Sequence, residues 1–140
     1  MPTAMPRCSR AAAAEVAPGA RPAARDRARA ERRGRLGETA AAWWLRLKGW
    51  RILARRVRTS VGEVDLVARR GSLVAFVEVK LRADDDGLDI AIDERRLARV
   101  AAAAELLAPR FARPDDDIRI DVILIARGRR LRHIENAWMG

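Results

Sequence analysis

Apolar residues in the middle of the chain occur in short runs that alternate with polar residues and are separated by turn sequences. Three such runs follow one another at Arg51–Thr59, Glu63–Arg69 and Leu73–Arg82. Gly62 precedes the second run, and the turn sequence Arg70-Gly71-Ser72 separates the second run from the third. Period-two alternation bounded by tight turns is typical of β-strands joined as hairpins. The pattern therefore predicts an antiparallel meander of three strands.

Two other segments have the spacing of helices. Between Gly34 and Lys48 the apolar positions recur every three or four residues, and Gly49 follows as a helix stop. We expect these positions to form the buried stripe of a first helix: Leu36, Ala40, Trp43, Trp44 and Leu47. A second helix is predicted from Asp93 to Ala108, where Pro109 would end it.

The remaining apolar runs complete one sheet. Ile118–Ala126 is predicted to be a strand, and Leu131–Ile134 a short final strand after a turn at Gly128. The polar segment Asp84–Gly87 is predicted to be a loop. The resulting order, α-β-β-β-α-β-β, predicts an α/β fold in which a mixed sheet of about five strands is flanked by two helices, one on each side.

Chain length and composition indicate one domain after a tail. A chain of 140 residues is close to the usual size of one compact domain, about 100–150 residues. Residues 1–32 contain four prolines, much Ala and Arg, and almost no large apolar side chains. Such a segment buries too little area to offset its ordering entropy. We therefore expect a basic tail at 1–32 that is disordered except for a helical turn before Arg33, and a folded domain at 33–140.

The charge balance favours an anionic partner. The chain has 29 basic and 19 acidic residues, a net charge of +10, and 27 of the basic residues are Arg. The planar guanidinium suits phosphate, and a positive field raises the rate of encounter with polyanions. Nucleic acid is the partner that this composition predicts. GC-rich codon usage raises Arg and Ala together and is the alternative explanation.

Cysteine content and hydropathy bear on the compartment. Cys8 is the single cysteine, so the sequence excludes an intrachain disulfide and a cysteine-based zinc site. No apolar run approaches the roughly 18 residues of a membrane span, and the N-terminus lacks the apolar stretch of a secretory signal. We expect a cytoplasmic protein without a membrane partner. An organelle transit peptide is the alternative, because the leader is rich in Arg.

Candidate chemistry lies on two neighbouring strands. Alternation predicts that Glu63 and Asp65 share one face, opposite Val64 and Leu66, and that Glu78 and Lys80 share a face of the next strand. If the strands pair through the short turn, Asp65 lies opposite Glu78. Adjacent carboxylates on a half-buried face repel unless a cation or a proton intervenes.

Mg²⁺ fits such a pair because it accepts one or two carboxylates and keeps several waters. Asp65 and Glu78 are therefore the predicted metal ligands, and Mn²⁺ is a substitute. Lys80 could steady a hydroxide or the charge on a phosphate. The alternative is a solvated strand face in which Asp65 pairs with a nearby Arg. The apolar run around Glu78 argues against it, because charges in an apolar strand are costly unless they are used.

Five ordered motifs together resemble those of the bacterial YraN family, over about residues 33–138. The motifs are Gly34-Arg35-Leu36-Gly37-Glu38, Gly62-Glu63-Val64-Asp65-Leu66, Phe76-Val77-Glu78-Val79-Lys80, Arg119-Ile120-Asp121-Val122 and His133-Ile134-Glu135-Asn136-Ala137-Trp138. The resemblance implies a restriction-endonuclease-like core of the PD-(D/E)XK kind, distantly related to archaeal Holliday junction resolvases, with a divalent metal. It implies catalytic roles for Glu38, Asp65, Glu78 and Lys80, with Gly37 allowing the first helix to approach the sheet.

The second helix departs from the family pattern. Many members have a Lys early in this helix, where this chain has Arg95, Arg96 and Arg99. Arg keeps the positive charge for a phosphate but cannot donate or accept a proton near neutral pH. We expect these three residues to bind nucleic acid and not to act in acid–base catalysis.

Other polar and aromatic residues are interpreted as structural. We expect Asp121 to pair with an Arg and His133, the single histidine, to be a strand or core residue. Trp43, Trp44 and Trp50 are expected to pack in the core or against the first helix, and base stacking is the alternative.

The function that the sequence favours is a Mg²⁺-dependent endonuclease that cleaves phosphodiester bonds in DNA, with selectivity for structure over sequence. The alternative is a nucleic-acid-binding accessory protein of the same fold without turnover. A protein-interaction module is a third hypothesis, and it leaves the basic excess unexplained. A homodimer formed through the last strand, near Trp138, would suit an enzyme that cuts two strands.

Overall fold

The computed structural model describes residues 21–82, 94–126 and 131–140. Within these ranges the chain forms two helices and five strands. In chain order they are α1 (Arg21–Leu47), β1 (Arg51–Arg58), β2 (Glu63–Arg70), β3 (Leu73–Arg82), α2 (Glu94–Phe111), β4 (Asp117–Ala126) and β5 (Arg132–Ile134). The strand bounds fall within one residue of those predicted. The expected loop at Asp84–Gly87 and the turn at Gly128 lie outside the described residues.

The strands form one mixed sheet in the order β1-β2-β3-β4-β5. The first three pair antiparallel, as the alternating runs predicted. Gly71, with φ of 62°, lies in the tight turn between β2 and β3, where a left-handed residue matches the twist of the hairpin. α2 connects β3 to β4, which run parallel, and β5 pairs antiparallel with β4. The predicted α/β fold is confirmed.

Each face of the sheet is covered by one helix, which creates two apolar clusters. The α2-side cluster joins α2 to the centre of the sheet through residues such as Val67, Phe76, Val100 and Leu107. The α1-side cluster is built from Ala41, Ala42, Leu45, Trp50, Leu66, Ala68, Ala75, Val77 and Ile123. Burial on both faces explains why β3 and β4 are almost continuously apolar.

The face of α1 that contacts the sheet differs from the predicted stripe. Leu36, Trp43 and Leu47 are 70%, 59% and 82% exposed, and Ala40 is also exposed. The buried positions of α1 include Ala41, Ala42 and Leu45, which lie on a different face of the helix from the exposed residues. Alanines let the helix lie close to the sheet, so a narrow stripe of small side chains suffices. The sequence pattern favoured the larger residues and therefore the wrong face.

α1 also begins earlier than predicted, at Arg21 instead of Gly34. Ala and Arg have high helix propensity, and Pro22 is tolerated in the first turn, where its missing N–H costs no hydrogen bond. Residues 21–32, assigned by sequence to the disordered tail, are therefore helical, and the side chains of residues 23–33 are exposed. Residues 1–20 lie outside the described part. Neither α1 nor α2 has both the length and the apolar character needed to cross a bilayer.

Deleting residues 1–32 is expected to leave the melting temperature within a few degrees of the full-length value. The described part of this segment is exposed, and its sequence offers little apolar area to bury. Thermal unfolding of both forms, followed by circular dichroism, measures the difference. Loss of cooperative unfolding in the shortened chain would show that the segment packs on the domain.

α2 runs through Pro109 and ends at Phe111, two residues beyond that proline. The prediction that Pro109 ends the helix is therefore wrong. A proline removes one backbone hydrogen bond, but near the end of a helix the turn can still close. Here the N–H of Ala112 donates to the carbonyl of Ala108 at 2.8 Å, across the proline.

Gly37, inside α1, and Gly62, directly before β2, have different surroundings. A Cβ at Gly62 would lie 3.0 Å from the backbone oxygen of Arg99 in α2, so this glycine allows β2 and α2 to approach closely. A Cβ at Gly37 would meet only side-chain atoms of Leu81, Val79 and Ile125 at 3.6–3.9 Å, which is ordinary contact. The expected close approach at Gly37 is therefore found at Gly62 instead.

Gly62→Ala is expected to destabilise the protein by about 1–3 kcal/mol, because the added methyl overpacks a backbone contact. Gly37→Ala is the matched control and is expected to be neutral or stabilising by up to about 1 kcal/mol, since alanine favours the helix. Urea denaturation of both variants measures the two effects. Equal effects of the two changes would contradict the assignment of the close contact to Gly62.

Candidate functional site

Asp65 and Glu78 lie next to each other where the pairing of β2 and β3 ends. The last paired residues at this end are Leu66 and Val77, so Asp65 and Glu78 are the next residues along each strand. The Asp65 Oδ2 atom accepts a hydrogen bond from the backbone N–H of Val79 at 2.8 Å. A carboxylate thus occupies the position of a backbone acceptor and holds the two strand ends together.

The alternation of β2 is interrupted at Asp65. Val64 belongs to the α2-side cluster, whereas Leu66 belongs to the α1-side cluster, although strict alternation would place them on one face. The predicted arrangement, with Val64 and Leu66 together opposite Glu63 and Asp65, is therefore wrong. Glu63 is exposed and lies 3.5 Å from Arg58. It takes no part in the cluster around Asp65.

The Asp65 carboxyl has an unusual protonation equilibrium. Burial is the largest cause, followed by the negative charge of Glu78 and opposed by the hydrogen bond from the N–H of Val79. A side-chain hydrogen bond with Glu78 and the charge of Glu38 add to the rise, and together they raise the pKa of Asp65 to about 7. Near neutral pH the pair therefore holds a proton that a cation could replace.

Glu78 is almost fully buried, with its side chain 3% exposed. Among the described residues its Oε1 atom accepts no hydrogen bond. The Nε of Arg96, from α2, lies in ion-pair contact with that oxygen without being aligned for a hydrogen bond. Buried oxygens normally accept a hydrogen bond, and this oxygen of Glu78 has only the ion-pair contact with Arg96.

Lys80 lies two residues beyond Glu78 on β3, where alternation places both on the same face of the strand, and it is half-buried. In the part of the chain that the structure describes, its ammonium makes no ion pair within 4 Å. It is therefore available to a bound anion next to the two carboxylates.

Glu38 reaches the same region from α1 but is already bound. Both of its oxygens accept from the Nε of Arg56, at 3.0 and 2.7 Å, and Glu38 is 6% exposed. Arg56 lies on β1 in a left-handed conformation with φ of 49°. This pairing was not predicted, and it leaves the charge of Glu38 to act on Asp65 through space.

The donor set fits a divalent cation held by two carboxylates. No group of three or more His, Cys, Asp or Glu side chains among the described residues is arranged to hold a metal ion. Mg²⁺ does not need such a cage, because it commonly binds one or two carboxylates and completes its shell with water and phosphate. The raised pKa of Asp65 and the Glu78 oxygen without a hydrogen bond lie where such a cation would bind.

The three predicted nucleic-acid contacts, Arg95, Arg96 and Arg99, lie in the first turns of α2 and are exposed. Arg96 is the one that reaches the carboxylates, while its side chain remains 55% exposed. The sequence carried no signal for this contact. It depends on how α2 crosses β3, which periodicity does not define.

Asp121 is structural, as predicted, and its partner is Arg119. The two side chains form a bidentate pair at 2.7 and 2.8 Å, and Asp121 also contacts His133 Nε2 at 2.8 Å and accepts from the N–H of Asn136 at 3.0 Å. Burial by itself would raise the pKa of Asp121. The hydrogen bonds from His133, Arg119 and Asn136 outweigh it, and the pKa lies below its usual range.

This network fastens β5 and the C-terminal residues to β4. His133 is accordingly a strand residue with a structural partner, and the rings of Trp44 and Trp50 pack edge-on against it at 5.3 and 6.4 Å. Trp44 and Trp50 thus have the packing roles predicted for them. Trp43 does not, because it is exposed, with the guanidinium of Arg46 over its ring at 5.3 Å.

Comparisons with known proteins agree with the motifs. A family model described as "Uncharacterised protein family UPF0102" matches residues 37–125, which include Glu38, Asp65, Glu78 and Lys80. A UPF0102 protein of Sphingopyxis alaskensis is 66% identical over 112 residues, covering 80% of this chain and 97% of that protein. One of Rhizorhabdus wittichii is 60% identical over 114 residues, covering 81% and 97%. One of Caulobacter vibrioides is 44% identical over 108 residues, covering 76% and 86%. The chain therefore belongs to the UPF0102 family, the YraN group whose motifs it carries.

Proposed function

We propose that this domain is a Mg²⁺-dependent endonuclease that cleaves phosphodiester bonds in DNA, with selectivity for structure over sequence. The observation that carries the proposal is the pair of adjacent carboxylates, Asp65 and Glu78, with a buried oxygen of Glu78 that lacks a hydrogen bond. Lys80, on the same strand and outside any described ion pair, supports it.

In this proposal Asp65 and Glu78 hold the metal. A bound Mg²⁺ supplies an acidified water and neutralises phosphate charge, and Mn²⁺ substitutes for it. The ammonium of Lys80 stabilises the charge that develops on the phosphate during attack. Glu38 holds Arg56 beside the site and keeps Asp65 basic through its charge. Arg95, Arg96 and Arg99 contact the nucleic-acid backbone from α2.

An accessory protein that binds nucleic acid without cleaving it is the second candidate. The observation that favours it is that two of the three carboxylates already have a guanidinium partner, Glu38 with Arg56 and Glu78 with Arg96. Such pairs stabilise the ionised carboxylates without a metal. A pure binding module would nonetheless have no use for three acids facing a phosphate.

A cleavage assay separates the two candidates. Single-stranded, duplex, flap and four-way DNA are incubated with the protein and Mg²⁺, Mn²⁺ or EDTA. The nuclease proposal expects metal-dependent cleavage that is stronger on branched substrates. Binding to these substrates without cleavage in either metal would favour the accessory protein.

A homodimer that pairs through β5 is also proposed for an enzyme that cuts two strands. β5 is a three-residue strand at the edge of the sheet. Trp138, expected beside this edge, is partly buried against the α2-side cluster of its own chain. The pairing would therefore depend on the backbone of β5 more than on that side chain.

A further inference from the structure

The contact between Arg96 and Glu78 joins an exposed cation to a buried anion. Arg96 lies in the first turns of α2 with its side chain 55% exposed, whereas the side chain of Glu78 is 3% exposed. Arg96 Nε and Glu78 Oε1 are in ion-pair contact, yet that oxygen accepts no hydrogen bond among the described residues. The guanidinium thus neutralises the charge of the carboxylate without donating a hydrogen bond to its Oε1 atom.

Glu78 needs a positive charge in any state in which it is ionised. A buried carboxylate without a counter-ion is strongly destabilising, and the neighbouring Asp65 supplies no positive charge in either protonation state. Lys80 makes no ion pair in the described part of the chain, and Arg56 is engaged with Glu38. Arg96 is therefore the residue that supplies the counter-ion in the metal-free protein.

We propose that Arg96 is a displaceable counter-ion, which neutralises Glu78 while the metal is absent and moves to the substrate phosphate when a divalent cation takes its place. The proposal rests on the metal site of the proposed function and goes beyond it, because it makes metal binding and phosphate binding cooperative. Arg96 Nε lies on the Glu78 oxygen that a metal would take, so the metal and the guanidinium compete for that oxygen, and the displaced guanidinium offers all of its N–H donors to a phosphate. Each ligand therefore removes an obstacle to the other.

The chemistry of arginine suits this exchange. Its planar fork matches the oxygens of a phosphate, and charge-assisted bonds of this type are strong. The contact with Glu78 has no aligned hydrogen bond to lose, and the exposed side chain can turn towards solvent without moving α2. Coupling between two ligands is reciprocal, so phosphate must tighten metal binding by the same factor as metal tightens phosphate binding.

Calorimetric titration with Mn²⁺ tests the exchange on wild type, Arg96→Gln and the matched control Arg110→Gln. The control removes the same charge from an exposed position in the last turn of α2, at the other end of the helix. Each protein is titrated with and without dimethyl phosphate, an uncleaved phosphodiester, at equal ionic strength. In wild type and in Arg110→Gln we expect dimethyl phosphate to tighten Mn²⁺ binding by about 5–150-fold. In Arg96→Gln we expect tighter binding than in wild type without the phosphodiester, and a smaller further tightening with it, because only the direct attraction between metal and phosphate remains.

A static ion pair predicts otherwise. If Arg96→Gln binds Mn²⁺ no more tightly than Arg110→Gln, or if dimethyl phosphate acts equally on all three proteins, the displacement is wrong while the metal site stands.

A second measurement examines the contact without metal. Unfolding in EDTA is compared for wild type, Arg96→Gln, Glu78→Gln and the double variant. We expect Arg96→Gln to lower the free energy of unfolding of the wild-type chain. In the Glu78→Gln background, where residue 78 carries no charge, the same substitution should have little effect. Absence of this coupling overturns the counter-ion role. Coupling in EDTA, with no Mn²⁺ binding by any variant, instead overturns the proposed function and the displacement with it.

Discussion

Replacing Lys80 with alanine is expected to lower metal-dependent cleavage about 10²–10⁴-fold, the usual contribution of a positioned catalytic group. Affinity for Mg²⁺ should stay the same or become slightly tighter, because a positive charge beside the two carboxylates is removed. Single-turnover cleavage and calorimetric titration on the same preparation separate the two effects.

Lys48→Ala is the matched control for this change. Lys48 is the other lysine of the chain, and it lies exposed after α1 with its ammonium over the ring of Trp44. We expect its removal to leave cleavage within a few-fold of wild type. Equal losses in the two variants would indicate a general electrostatic effect on substrate binding and would contradict a positioned role for Lys80.

Asparagine substitutions at the partly buried Asp65 and the fully buried Asp121 are expected to have different effects on stability. Asp121→Asn leaves Arg119 without its bidentate partner and should cost roughly 3–5 kcal/mol. Asp65→Asn removes the repulsion between Asp65 and Glu78. The new amide can accept from the N–H of Val79 and donate to Glu78, so this variant should be as stable as wild type or more stable.

The advantage of Asp65→Asn should depend on pH. The pKa of Asp65 is raised from 3.8 to about 7, so between these values the folded chain holds a proton that the unfolded chain has lost. That proton's contribution to stability is complete below about pH 4 and is lost as the pH rises through 7. At pH 8 the free energy of unfolding of Asp65→Asn should therefore exceed that of wild type by on the order of a few kcal/mol, since one unit of pKa corresponds to about 1.4 kcal/mol.

Chemical denaturation in EDTA at pH 5 and pH 8 measures both substitutions. We expect the stability of Asp65→Asn to be close to that of wild type at pH 5 and higher than that of wild type at pH 8. A loss of several kcal/mol at both values would mean that Asp65 is a structural partner of a buried cation, as Asp121 is.

The order of elements and the strand bounds followed from the sequence because burial on a sheet leaves a strong periodic signal. The runs around Val64, Phe76 and Ile120 alternate or stay apolar over whole strands, and Gly71 marks the hairpin. The faces of α1 were misassigned for a related reason. Side-chain size dominates a hydrophobic pattern, whereas α1 docks through Ala41 and Ala42, which carry little of that signal.

The candidate site was predicted only in part. Alternation and turn length brought Asp65 and Glu78 together, and the same reasoning gave Lys80 its place. It could not predict the interruption between Val64 and Leu66, because a local break in a strand leaves no periodic signal; the break lies at Asp65, whose side chain accepts from the N–H of Val79.

The sequence also did not predict which arginines pair with the acidic residues of the site. Arg56 and Arg96 belong to elements distant in sequence from Glu38 and Glu78, and a chain with 27 arginines offers many alternatives. The same abundance left the partner of Asp121 undefined, although Arg119 lies two residues away on β4, where alternation places both side chains on one face. Pairing across elements follows from tertiary packing, which periodicity does not encode.

The central claim is that Asp65 and Glu78 are metal ligands, and calorimetric titration of wild type and Asp65→Asn with Mg²⁺ or Mn²⁺ tests it most directly. We predict that wild type binds the metal and that the variant, which retains the fold, does not. Equal binding by wild type and Asp65→Asn would contradict the nuclease site, and the accessory nucleic-acid-binding protein would then be the better account.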